Sequence, residues 1–407
     1  MNHQAEAGTQ HQVGDARACP SEALAELEHG TLFAGGAPLN VQFRLHLAEP
    51  RRLHIVRRAL MFLAITWLPL VVFAALAGDA SLRSLLSSLG LLSRYFVAGP
   101  LLLAGEATAI FVLGMVARRF LAMHFVVTAD HPRFAAAVAS TLRWRDAPAA
   151  EVAAALVALA IGVLTSQLVP IAELPQWYRS EVDGRRSLAG WWHALVSLPL
   201  LWVLVLGAFW RLVLWTRFLW LVSRLDLALV PVHPDRSAGL GFVGHSVIGF
   251  CLVGSAFGAI LAGAVAEQVI HGGAAPAQFK YLIAGLVVLT VVLFTAPLFA
   301  LTPKLLQARR RGMWQYNELA NVLGRRFERD WFGGKPLDRD DLLERSDFSA
   351  ATDLYQVIDR VRDLRLVAVD LKSVAMLVGA TLLPFVPVLL AALPLDAVLK
   401  ELVTLLL

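Results

Sequence analysis

Apolar and polar residues follow one another along this chain in long blocks. Seven apolar runs stand out: Leu60–Leu76, Phe96–Val116, Val152–Ile171, Ser187–Trp210, Leu240–Ala266, Tyr281–Thr302 and Ser373–Leu395. Each has the roughly 17–25 residues that carry an α-helix across a bilayer core. Backbone groups in lipid must pair within their own segment, so helices are the expected form. The pattern predicts an all-α membrane protein, a seven-transmembrane helix bundle.

The polar blocks divide the rest. Residues 1–50 read as a largely disordered tail, because 1–35 carry no sustained period, with one or two helical turns expected over Glu22–Glu28. Six helices with short loops fill 51–302, a polar piece covers 303–372, and the seventh helix with an amphipathic tail covers 373–407. Val41–Leu47 alternates strictly between apolar and polar, a strand signal, and Ala228–Val232 and Leu366–Leu371 look similar. A small sheet from these pieces is expected. Pro132–Leu142 reads as a short amphipathic helix. In 303–372, Met313, Tyr316, Leu323, Phe327 and Trp331 form one helical stripe, and Leu354, Val357, Ile358, Val361 and Leu364 form a second, with Ser349 as N-cap. Two facing stripes predict a helical hairpin. Pro69, Pro100, Pro199, Pro297, Pro384 and Pro387 lie inside runs and predict kinks.

Charge orients the runs. With the N-terminus inside, the inside segments hold 29 of the 36 Lys and Arg residues. The outside keeps seven: Arg83, Arg94, Arg179, Arg185, Arg186, Lys280 and Lys400. That asymmetry satisfies the positive-inside rule and predicts N-terminus in, C-terminus out, with the 303–372 hairpin cytosolic. The chain is 57% apolar and 16% charged, with a net charge of +5. The cations flank spans rather than forming a basic arm, which points to the lipid bilayer and away from nucleic acid. Cys19 lies in the tail and Cys251 within the fifth run, so no disulfide, metal site or cofactor is expected.

Few residues carry candidate chemistry. Glu106 is the eleventh residue of the second run, where a carboxylate costs at least ~2.5 kcal/mol and is expected to face the bundle interior, either in a proton or cation relay or as a neutral, hydrogen-bonded Glu that holds two helices together. His245, His193 and Glu267 add titratable groups nearer the two faces, and with Glu106 they would form a proton or ion path if they shared one interior surface. Arg236, Ser237 and Gly239 precede the fifth run, where free helix amides suit an anion or lipid headgroup; capping by Asp235 or Ser237 is the plainer alternative. The formal G-x-G-x-x-G at 239–244 lacks a βαβ context, and position 261 is Leu, so it is not a dinucleotide site. Gly254, Gly258 and Ala262 form a small-residue ridge for close helix packing, which marks the fifth run as central or, between chains, would form a homodimer face.

The stretch His233-Pro-Asp-Arg-Ser-Ala-Gly-Leu-Gly-Phe, followed by Ala308-Arg-Arg-Arg-Gly, resembles a family of uncharacterised multi-pass bacterial inner-membrane proteins. The resemblance covers the chain from about residue 225 onward. It implies a bacterial inner-membrane location and carries no activity. Two readings follow from the whole: permeation or transport of a proton, ion or small solute centred on Glu106, or a non-catalytic scaffold or sensor that binds a cytosolic protein through 303–372. No known catalytic motif is present, which disfavours an enzyme.

Overall fold

The computed structural model describes residues 20–44, 46, 47, 49, 53–168, 175–179, 185–332 and 347–392. Among the described residues the protein is helical, with no β-strand and with seven helices long and apolar enough to cross a membrane. In chain order the helices are α1 (Pro20–Glu28), α2 (Leu39–Arg44), α3 (Ile55–Ala77), α4 (Asp79–Leu86), α5 (Leu89–Ala122), α6 (His131–Arg145), α7 (Pro148–Leu168), α8 (Leu188–Val222), α9 (Leu240–Ile270), α10 (Pro276–Phe332), α11 (Asp347–Arg362) and α12 (Leu371–Ala392). The long ones, α3, α5, α7, α8, α9, α10 and α12, match the seven apolar runs and fit a multi-pass membrane protein.

Every proline expected to kink a helix sits at or beside an irregular turn. Proline lacks an amide hydrogen and clashes with the carbonyl four residues back, so the turn before it must rewind. α3 breaks at Trp67, two residues before Pro69. A π-helical turn at Ser93–Ala98 precedes Pro100, and another at His193–Ser197 precedes Pro199. Pro297 lies in a 3-10 stretch, Ala296–Leu301, and Pro384 in another, Leu383–Phe385, with Pro387 just beyond it.

α9 is the centre of the bundle, with 61% of its most apolar stretch buried against 11% for α7. Its small residues make this possible. A Cβ on Gly254 would lie 2.7 Å from Thr381 Oγ1, and one on Gly258 would lie within 2.1 Å of the Thr381 carbonyl oxygen, so both glycines seat α12. Ala262 packs with Phe385 and Val388 of the same helix. Gly263 seats Ser93 of α5, whose hydroxyl donates to the Ala259 carbonyl at 2.5 Å. The Gly254–Gly258–Ala262 ridge is therefore covered by this chain's own α12. On the other side, Phe257 stacks on Phe209 of α8 and Phe250 on Phe294 of α10.

The arginine-rich segments meet at one end of the bundle. Arg145 donates to Glu26 at 2.7 Å, Lys304 faces Asp226 at 3.7 Å, Arg311 donates to the Leu229 carbonyl, and Arg309 to that of Arg362. Burial opposes the Arg145 charge, but Asp146 and Glu26 outweigh it and hold the guanidinium protonated. α11 packs on α10 there, with Val361 against Gly312.

Several expectations fail here. Residues 20–44 are not a disordered tail; they are folded, with Leu27, Leu32, Phe33 and Leu39 fully buried. Pro38 rests on Gly207 of α8, and the Gly30 carbonyl rests on Gly114 of α5. Irregular backbone at this depth is tolerated because protein surrounds it. The strand expected over Val41–Leu47 is helical through Arg44, because Leu39 and Gln42, three apart, both turn toward the bundle. The expected sheet does not form among the described residues: Val126 and Leu227 make one isolated bridge, and Arg365 donates to the Arg236 carbonyl. Ser349 lies inside α11, which begins at Asp347, so it is not the N-cap. Residues 333–346, between the two expected hairpin helices, and the amphipathic tail from 393 lie outside the described residues.

Candidate functional site

Two buried polar clusters lie within the bundle. The first surrounds Glu106 on α5, which is only 5% exposed. Arg58 from α3 donates to its Oε2, and Arg211 from α8 donates to its Oε1 at 2.5 Å. Arg58 also reaches Gln42 Oε1 of α2 at 2.5 Å, and Arg211 reaches the Gly207 carbonyl at 3.2 Å. One carboxylate thus ties together three spans and the N-terminal segment. Arg58 Nη1 and Arg211 Nε have no partner among the described residues. Both carboxylate oxygens are nevertheless engaged, and each guanidinium faces a counter-charge.

The second cluster forms where the two π turns meet. α5 and α8 each carry a cationic or titratable residue six positions before a proline: Arg94 before Pro100, and His193 before Pro199. The wider π turn re-aims the side chains within it. Tyr95 and His193 come ring to ring at 6.0 Å, edge to face. Trp177 and Tyr178, from the turn before α8, close on the same imidazole at 5.5 and 5.7 Å. Ser187 fixes that turn: its hydroxyl donates to the Trp177 carbonyl at 2.7 Å and accepts from Gly190 N–H at 3.0 Å. Gly190 is required, since a Cβ would lie 2.8 Å from the Tyr178 carbonyl oxygen. Burial pushes the Tyr178 hydroxyl above its ordinary range, against the opposing pull of Arg186.

This cage is polar but unsatisfied. His193 is 7% exposed, and both its ring nitrogens lack a hydrogen-bond partner among the described residues, as do Tyr95 Oη and Trp177 Nε1. A cavity of about 290 Å³ opens beside them, lined also by Arg94, Glu267 and Gln268. Glu267 is engaged: its Oε2 accepts from Gly90 N–H and its Oε1 faces His271 Nδ1, both at 3.2 Å.

A second, apolar cavity of about 990 Å³ runs on from the first and shares Arg94, Tyr178, His193 and Ala264 with it. Its walls come from α8 (Leu201, Trp202, Phe209), α9 (Phe257, Leu261) and α10 (Leu286). Tyr281, Leu282 and Leu289 on the α10 wall are exposed, so this crevice opens sideways toward where lipid would lie. Its volume is in the range of ligand pockets.

The four titratable residues singled out from sequence do not share one surface. His193 and Glu267 meet in the cage, and Glu106 is held in the arginine cluster. His245 is exposed at the opposite end, in a cleft of about 470 Å³ with His233, Asp235, Arg365, Asp370 and Lys372. In that cleft Asp235 accepts from the amides of Ser237, Gly239 and Gly241 at 2.8, 3.1 and 2.8 Å. Burial would raise its pKa, but these amides and His233 outweigh burial and hold it below the usual carboxylate range. The amides at Ser237 and Gly239, expected to hold an external anion beside Arg236, are thus taken by the chain's own Asp235. Gly239, at φ 94°, meets the Phe125 ring and admits no side chain. Asp370 likewise caps α12.

Sequence reasoning found His193 and Glu267 but missed Arg94, Tyr95, Trp177 and Tyr178. The shared spacing of Arg94 and His193 to proline is the signal that would have found the cage. Among the described residues no group of three or more His, Cys, Asp or Glu could hold a metal ion. No protein-family model, curated protein or solved structure matches the chain.

Proposed function

We propose that this chain binds an amphiphile taken laterally from the bilayer, its apolar part in the α8–α9–α10 crevice and its polar end in the Arg94–His193 cage. One observation carries the reading: His193, whose two ring nitrogens lack a partner among the described residues, lines both the apolar crevice that opens sideways and the small cavity, where Trp177 Nε1 is also unpartnered. Each such atom costs about 1–3 kcal/mol if left unpaired. A polar head offsets that cost, and a tail covers the apolar walls.

A lipid carrying a photoactivatable diazirine in its tail tests this. Cross-links should concentrate on Trp202, Phe257 and Leu286, and Ala264→Trp, which narrows the neck shared by the two cavities, should remove them. Labelling confined to outward residues such as Leu60 and Val72, and unchanged by Ala264→Trp, would contradict the reading.

The arginine-rich end is taken as cytoplasmic, with the N-terminus in, and the likeness of the His233–Phe242 stretch favours a bacterial inner membrane. A proton or ion path through Glu106 is less favoured, because both its oxygens are engaged. A second reading has its own support. Beyond the bundle α10 pairs with α11 in a cytosolic hairpin, and α10 carries an exposed apolar face, with Trp314 79% exposed and Leu319 and Val322 beside it. That face favours a protein partner for 303–372. Recovery of a partner with the full chain but not with Trp314→Asp would support it, and equal recovery would contradict it.

A further inference from the structure

We infer that the head accepted by the cage is an anion, a phosphate or a carboxylate; this rests on the amphiphile reading and narrows it. Three features carry the inference. Arg94 lines both cavities, is half-buried and makes no ion pair among the described residues. It lies near enough to act electrostatically on both Tyr95 and His193. The one acid lining the small cavity, Glu267, is already engaged by Gly90 and His271.

The remaining polar groups are mostly donors. Indole Trp177 Nε1 and the Arg94 guanidinium can only donate, Tyr95 Oη donates readily, and at least one His193 nitrogen carries a hydrogen. An acceptor-rich head satisfies that set, and a pair of phosphate or carboxylate oxygens suits the planar guanidinium fork. The same aromatic rings would suit a quaternary ammonium on their own. Here the His193 ring fills the space between them, and Arg94 repels a cation.

The test uses the full chain in nanodiscs of phosphatidylcholine, with tail-diazirine phosphatidylcholine as the probe. Unlabelled phosphatidic acid should displace crevice labelling about tenfold more effectively than unlabelled diacylglycerol, which has the same tails and no phosphate. Arg94→Gln should erase that preference, while Arg94→Lys should keep part of it. Both variants must melt as the parent does; a loss of preference restored by Arg94→Lys separates recognition from misfolding. Displacement by inorganic phosphate alone assigns the anion to a free source rather than a lipid head. Equal displacement by the two lipids, with crevice labelling intact, overturns the anion assignment and leaves the amphiphile reading standing. Absence of crevice labelling in the parent protein sinks the amphiphile reading itself.

Discussion

The Arg58–Glu106–Arg211 cluster and the Arg94–His193 cage are both polar and both buried, yet they are finished differently. In the first, three spans and the N-terminal segment supply partners to one another, and no described cavity is lined by Glu106. In the second, two spans and a turn bring four donor or acceptor atoms together without supplying partners, beside a cavity. A buried charge satisfied from within holds helices together. A buried polar group left open within the protein is set up for something from outside. The more conspicuous residue in the sequence, Glu106, is thus the assembling one.

The largest expected effect separates the two directly. Glu106→Gln leaves two buried guanidiniums without a counter-charge and should cost about 3–5 kcal/mol, read by denaturant unfolding in mixed micelles. Replacing all three charges together by apolar residues of similar volume should recover most of that loss. A Glu106→Gln protein as stable as the parent would refute the assembling role.

Next in size is the seat of the N-terminal segment. Gly207→Ala places a Cβ within 2.4 Å of Pro38 Cδ and should cost about 1–3 kcal/mol by overpacking. Amide hydrogen exchange over residues 31–44 should rise selectively, and exchange that rises evenly across the bundle would speak against this seat.

The cage should respond in the opposite sense. His193→Phe keeps the ring and removes two unpartnered nitrogens, so stability should hold or rise by up to about 1–2 kcal/mol while ligand capture falls. A loss comparable to that of Glu106→Gln would place His193 among the assembling residues.

The smallest effect is the acid response of the caps. Asp235 and Asp370 both sit below the ordinary carboxylate range in the folded protein, the latter mainly through the Ser373 hydroxyl. Their contributions are therefore full above the unfolded value of about 3.9 and are lost as pH falls through the lower folded values. Hydrogen exchange at the first turns of α9 and α12 should quicken only in that acid window. Asp235→Asn should abolish the dependence at α9 alone.

Much of the architecture was legible in the chain. The apolar runs mark the seven long helices, and the prolines mark their irregular turns. The hidden part has a physical cause. Arg58 and Arg211 stand where a linear reading assigns span-flanking cations, and only the close approach of α3, α5 and α8 turns them onto Glu106. Arg94 precedes the apolar start of its run and reads as an outside charge, yet α5 begins five residues before it. The alternation at 41–47 is too short to outweigh the inward turn of Leu39 and Gln42, the latter onto Arg58 of α3, so residues expected to be extended coil into a helix through Arg44. Contacts between distant segments decide each of these, and periodicity records only local ones.

The most direct test is an experimental structure of the protein in a lipid nanodisc at a resolution that shows side-chain hydrogen bonds. Elongated non-protein density should fill the α8–α9–α10 crevice, with its polar end within hydrogen-bonding distance of Arg94 and His193, while Glu106 stays bound only to its two arginines. Protein atoms on both His193 nitrogens, with no such density in the crevice, would contradict the distinction between the two clusters.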